Sequence, residues 1–246
     1  MARKSAHELA MTVVAFIGLA GCQHADVRPS MFAPVPSIAE KSPQLNATQA
    51  ADVHVALGRS LEKRGATQEA TNAYLEATKL DPHRADAYAR LAVIHDVQAK
   101  FKESEQYHRK ALAAQPENAD MYCNYGYSLY LQRRWAEAET NLRRAVALQA
   151  DHRRAHNNLG IVLAHNDRTE AALAEFRKAG VSEADAHVNL AFVLTLEQSW
   201  PDARKHYEHA LMKDPASEQA RKGLDELDAL AARAELKTQG REAKAN

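Results

Sequence analysis

The chain has 246 residues, in which 32 Lys and Arg balance 32 Asp and Glu, so the formal net charge is zero. No basic stripe stands out along it, which argues against the electrostatic footprint of a nucleic-acid-binding protein. The chain holds only two cysteines, Cys22 and Cys123, far apart in sequence.

The N-terminal stretch reads as an export signal. Arg3 and Lys4 form a basic start, and the apolar run from Leu9 to Ala20 has 12 residues, the length of a signal-peptide core and too short to cross a membrane. It leads into Leu19-Ala20-Gly21-Cys22, which resembles the bacterial lipobox. That resemblance implies a lipoprotein signal peptide over 1–21, with Cys22 acylated (palmitate-type chains included) as the new N-terminus. An ordinary secretory signal followed by a coincidental cysteine is the alternative reading. Loss of Arg3, Lys4 and Glu8 would leave the remainder with a net charge near −1. Cys123 would then have no intramolecular partner and is expected to pack as a small apolar group. Residues 22–50 carry Pro29, Pro34, Pro36 and Pro43 without helical period, and read as a flexible tether.

A repeat occupies the middle of the chain. Pro82 and Pro116 lie 34 residues apart, and Pro215 lies 99 further on, three such periods less three residues. Framing the period gives units 51–84, 85–118, 119–152, 153–183 and 184–217. With Pro82 at unit position 32, position 8 reads Gly58, Ala92, Gly126, Gly160 and Ala191. Position 24 reads Tyr74, His108, Leu142, Phe176 and Tyr207, and position 27 reads Ala77, Ala111, Ala145, Ala179 and Ala210. Small residues at fixed offsets suit close helix crossings, and large ones fill the space between them. Proline at position 32 cannot continue a helix and is expected to end the second helix of each unit. Ala150 stands in for the third proline, with Asp151 beside it as a candidate helix N-cap. The three missing residues around Glu183 are expected to shorten one turn between units. In residues 218–246, Ala220, Leu224, Leu227 and Leu230 recur at helical spacing, the pattern of a helix that covers the last unit, with fraying expected beyond about Lys237.

This register resembles the tetratricopeptide family over residues 51–217. The resemblance implies an all-α fold: a right-handed superhelical solenoid of about five helical hairpins plus a C-terminal capping helix. It also implies a protein–protein interaction scaffold with a concave groove, no enzyme activity and no cofactor. No phosphate loop, nucleophile elbow or HExxH motif contradicts that. His54, His156 and His187 share unit position 4 and read as packed rings, while His206 and His209 share a helix face with no third metal ligand evident in sequence. No metal site is therefore expected.

The groove is the remaining candidate site. In the family, positions 2, 5, 6, 9, 12 and 13 of the first helix face it. Position 6 carries Asn124, Asn158 and Asn189 in three successive units, which resembles the asparagine ladders that hold an extended peptide by its backbone. A carboxamide offers an acceptor and two donors, enough to satisfy one peptide unit. Tyr127, Tyr130, Leu131, Ile161, Val188, Phe192 and Leu196 flank the ladder. The other reading of these asparagines is hydrogen bonding inside the hairpin. A carboxylate clamp is disfavoured, because Ala89 and Val93 stand where that variant of the family has Lys and Asn. Among lipoproteins the chain looks most like those assisting pilus or secretin assembly, of the Tad/Flp type, on the stretch Ala184 to Leu194. Gln23 after the lipidated cysteine, in place of aspartate, points to the outer membrane, facing the periplasm. An adaptor for cell-wall hydrolases or envelope complexes is the alternative. The expected partner is thus a protein or extended peptide, with membrane contact through the lipid alone and no small-molecule substrate.

Overall fold

The computed structural model describes residues 45–245, with side chains as far as Arg233. The signal segment, Cys22 and most of the tether lie outside the described residues. Eleven helices and no strand are found among the described residues: α1 Ala47–Lys63, α2 Thr67–Leu80, α3 Ala85–Val97, α4 Phe101–Ala114, α5 Ala119–Leu131, α6 Trp135–Leu148, α7 Arg153–His165, α8 Thr169–Lys178, α9 Glu183–Leu196, α10 Trp200–Lys213 and α11 Glu218–Ala245. Helices α1 to α10 pair into five hairpins that stack in chain order, and α11 packs on α9 and α10. The fold is the expected all-α solenoid with a covering helix. The odd-numbered helices α1 to α9 are called A helices below, and their even-numbered partners B helices.

One residue sets the geometry of each hairpin. Gly65, Ala99, Arg133, Asp167 and Gln198 all have positive φ, between 55° and 75°, and all occupy unit position 15. Each stands just past the C-cap of an A helix, where the chain must leave the helix in a left-handed step. The bonds repeat too: Gly65 N–H donates to the Glu62 carbonyl and Ala66 N–H to that of Leu61, and the same pair recurs after α3, α5, α7 and α9. Carbonyls that the helix end leaves without partners are thereby satisfied.

Packing follows the small-large register. A Cβ added to Gly58 would sit 2.6 Å from the Tyr74 ring, and one added to Gly160 would sit 2.6 Å from Phe176. No side chain fits there without moving a fully buried ring, so the A and B helices of those units meet at glycine. The buried row at position 27, from Ala77 to Ala210, brings each B helix close to its neighbours. Position 20 is alanine except at Ser104, and that exception belongs to a buried polar knot. Ser104 and Ser128 hydroxyls donate to Asp96 Oδ1 at 2.5 and 2.6 Å, and His108 Nε2 lies 2.9 Å from Asp96 Oδ2. The knot ties α3, α4 and α5 together at one carboxylate.

Several local expectations are corrected. The first helix begins at Ala47, inside the stretch assigned to the tether, because Asn46 and Gln49 form a reciprocal capping box. The cap of α7 is His152, whose Nδ1 accepts from Ala155 N–H, and not Asp151. The missing three residues do not shorten a turn alone: α8 has 10 residues where α2, α4, α6 and α10 have 14, and Gly180 (φ 74°) closes it early. Helix α6 ends at Leu148 without a nearby proline, at the same unit position where α2 and α4 end ahead of Pro82 and Pro116, so this stop does not require the proline. Helix α11 runs on to Ala245, past Lys237.

Candidate functional site: one face of the A helices

Positions 2, 6, 9 and 13 return to nearly the same side of a helix. The A helices sit side by side, α5 against α7 and α7 against α9. The stripe is mixed: Asp120, Arg154 and Asp185 stand at position 2, the asparagines at position 6, and large apolar or aromatic groups at positions 9 and 13, apart from His165. Tyr127, Leu131, Phe192 and Leu196 are 40–44% exposed, large apolar groups that the stack leaves uncovered. Ile161 and Val188 are half-buried against the core edge. Val97 on α3 is 73% exposed at the same position as Leu131.

The asparagines differ from one another. All three are half-buried. Asn158 Nδ2 reaches only the Cys123 sulfur, at 3.7 Å, a weak acceptor. Among the described residues, Asn124 and Asn189 side chains make no hydrogen bond, and none of their polar atoms is sealed from solvent. Their hydrogen-bonding capacity is therefore unused inside the fold. Cys123 itself is fully buried, and burial raises its thiol pKa, which suits the expected packed and unreactive role.

A ring cluster at the C-terminal edge of this face was not found from sequence. Tyr130 lies between Tyr127 (5.8 Å between centroids) and Trp135 (5.4 Å), and Trp135 stacks on His165 at 4.4 Å. His165 Nδ1 lies 2.7 Å from Glu197 Oε1 and its Nε2 lies 3.4 Å from the Tyr130 hydroxyl. This row links α5, α7 and the end of α9 along the face. Burial raises the Tyr130 pKa to about 12, so its hydroxyl remains a donor at any physiological pH. His165 and Glu197 stand at unit positions 13 and 14, a signal that the register could have supplied had polar residues been followed as closely as apolar ones.

The histidines are placed unevenly. His156 packs as expected, with Nδ1 2.6 Å from Glu175 Oε2. The expectation that His206 and His209 lack a nearby ligand is overturned: His187, on the facing helix, comes close to both, and Glu183 comes close to His209. The 19 residues from His187 to His206 hid that meeting, which follows only once α9 and α10 fold against each other.

The comparisons agree with the architecture. The sequence profile of the tetratricopeptide repeat family matches residues 55–119, 96–148 and 123–186. No curated protein matches the sequence. Among solved structures, Pseudomonas aeruginosa pilF aligns with a TM-score of 0.57 and 26% identity, covering 80% of this chain and 99% of that one. YrrB, described as a TPR protein with an unusual peptide-binding site, aligns with a TM-score of 0.55 at 24% identity, over 71% of this chain and 92% of that one. TTC0263, a TPR protein of Thermus thermophilus, aligns with a TM-score of 0.54 at 18% identity, over 72% and 98% respectively. At such identities the last two speak for the fold alone.

Proposed function

Because the chain belongs to the tetratricopeptide repeat family, whose profile spans more than half of it, it is a protein–protein interaction scaffold, and we propose that its A-helix face binds an extended peptide segment of a partner. One observation carries the reading: Asn124 and Asn189 offer unsatisfied carboxamides between large apolar groups that the fold leaves exposed. An extended backbone satisfies the carboxamides, and its alternate side chains cover Tyr127 and Phe192. Nothing in the family's usual role requires a catalytic group.

The setting we propose is the bacterial envelope, with Cys22 carrying the lipid that holds the scaffold at the outer membrane and the repeats in the periplasm. The likeness of Leu19 to Cys22 to a lipobox supports it. A role in pilus or secretin assembly rests on the sequence resemblance to lipoproteins of that class, and the alignment over 99% of pilF is in keeping with it.

Two experiments test these readings separately. A photo-crosslinking residue in place of Tyr127 or Phe192 in cells should trap a partner, while the same residue at Thr140, on the outer side of α6, should not. Equal trapping at all three sites, or adducts that survive Asn124→Ala/Asn158→Ala/Asn189→Ala undiminished, would remove the groove from the function. Labelled palmitate should mark the wild type and not Cys22→Ala; label retained by that variant would end the lipoprotein reading.

A further inference from the structure

Behind the groove, the last hairpin holds a cluster that peptide binding does not use. His187 lies at unit position 4 of α9, about 200° around the helix from the ladder residue Asn189. Its ring is buried, with its centroid 4.0 Å from that of His209 and 5.1 Å from that of His206, both on α10. Glu183, one turn before His187, completes the group. One ligand atom from each of Glu183, His187 and His209 lies within 4.8 Å of the other two.

We propose that Glu183, His187 and His209 form a site for a zinc-class divalent metal ion, which staples α9 to α10. Three observations carry this. The donor set, two imidazoles and one carboxylate, is the borderline chemistry that zinc selects over magnesium or calcium, which want oxygen alone. His209 Nε2 is buried from solvent yet makes no hydrogen bond: its nearest acceptor, Glu183 Oε1, stands 3.6 Å away. A buried ring nitrogen without a partner is costly unless something occupies its lone pair. Finally, a cleft of about 460 Å³, lined by Leu173, Arg177, Val181, Glu183, Ala186 and His187, opens beside the cluster and gives solvent access to a fourth position.

The rearrangement required is small. Tetrahedral zinc with bonds near 2.0–2.1 Å holds its ligand atoms about 3.3 Å apart, so the three side chains close by about 1.5 Å at most. His206 is a positioning residue, because its Nδ1 lies 2.9 Å from His187 Nδ1 and fixes that ring. One group competes. Lys213 Nζ–H donates to Glu183 Oε1 at 2.9 Å, and a dication must displace that ammonium.

This competition supplies a test that simple loss of packing cannot imitate. The full chain is titrated with zinc chloride against a chromophoric chelator, and its melting temperature is followed with and without zinc. Wild type should bind one equivalent with a rise in melting temperature. Glu183→Gln and His209→Gln, both at partly exposed positions, should fold normally and bind at least about 10-fold more weakly. Lys213→Ala should bind more tightly than wild type, and magnesium should shift none of them. No one-equivalent zinc binding by wild type, or binding unchanged across the Glu183, His209 and Lys213 variants, would overturn the proposal.

Discussion

Single residues in this chain work against or with their backbone, and the balance can be measured. Position 8 glycines cost helix stability, since glycine is about 1 kcal/mol worse than alanine inside a helix. Gly160→Ala should nevertheless destabilise, by about 1–2 kcal/mol in urea unfolding, because its Cβ would stand 2.6 Å from a Phe176 ring that is fully buried and has no space to yield. Position 15 runs the other way. Gln198 holds φ of 63°, a left-handed conformation that costs a side-chain-bearing residue about 1–2 kcal/mol. Gln198→Gly relieves that strain and loses part of the gain to unfolded-chain entropy, so it should stabilise by about 0.5–1 kcal/mol. A fall in stability for Gln198→Gly, or a rise for Gly160→Ala, would contradict this account of the hairpin.

Between elements, polar groups decide which helices are held in register. Asp96 accepts from residues on α4 and α5 while itself standing on α3. Asp96→Ala leaves two hydroxyls and an imidazole buried without their acceptor, and should cost roughly 3 kcal/mol, with loss confined to unfolding free energy and no change in helix content. A second tie links the second and third hairpins: Glu105 on α4 accepts from Arg134, at the start of α6, from Arg109 and from the Tyr125 hydroxyl. The Arg134 guanidinium foremost holds its carboxyl down to about 2. A carboxyl whose pKa is lowered on folding contributes stability above its unfolded pKa, and that contribution fades as pH falls through the range down to about 2. Wild type should therefore lose more stability than Glu105→Gln between neutral and strongly acid pH. Parallel acid-denaturation curves for the two proteins would show that this pair adds nothing, as exposed pairs often do.

For the whole molecule, the stack has an order of dependence. A solenoid's stability is close to a sum over units and their interfaces, so an uncovered end is its weak point. Ala220 and Leu227 of α11 are buried against the last hairpin, and Gly223 lies where a Cβ would meet the Tyr207 ring at 2.3 Å. A chain stopped after Ser217 should melt at a lower temperature while keeping the circular dichroism of a helical protein, and Leu227→Ala should reproduce about 2–3 kcal/mol of the loss. Unchanged melting after removal of α11 would mean that the last hairpin needs no cover.

The repeat, the hairpins and the small-large register were all legible in the residues, because each depends on contacts at constant offsets: position 8 meets position 24 of the same unit, wherever the unit lies. Gly160 and Phe176 could thus be paired from their offsets alone. That Asn124, Asn158 and Asn189 hold equal positions on successive A helices was readable for the same reason. Polar meetings were readable at most as shared unit positions, not as contacts. Tyr130, His165 and Glu197 touch across three units, and Glu183, His187 and His209 meet across one hairpin whose preceding helix, α8, is four residues short. Those contacts depend on how far each helix is rotated and on which rotamer a side chain takes. Packing of the whole stack sets both, and a repeating pattern of apolar residues records neither.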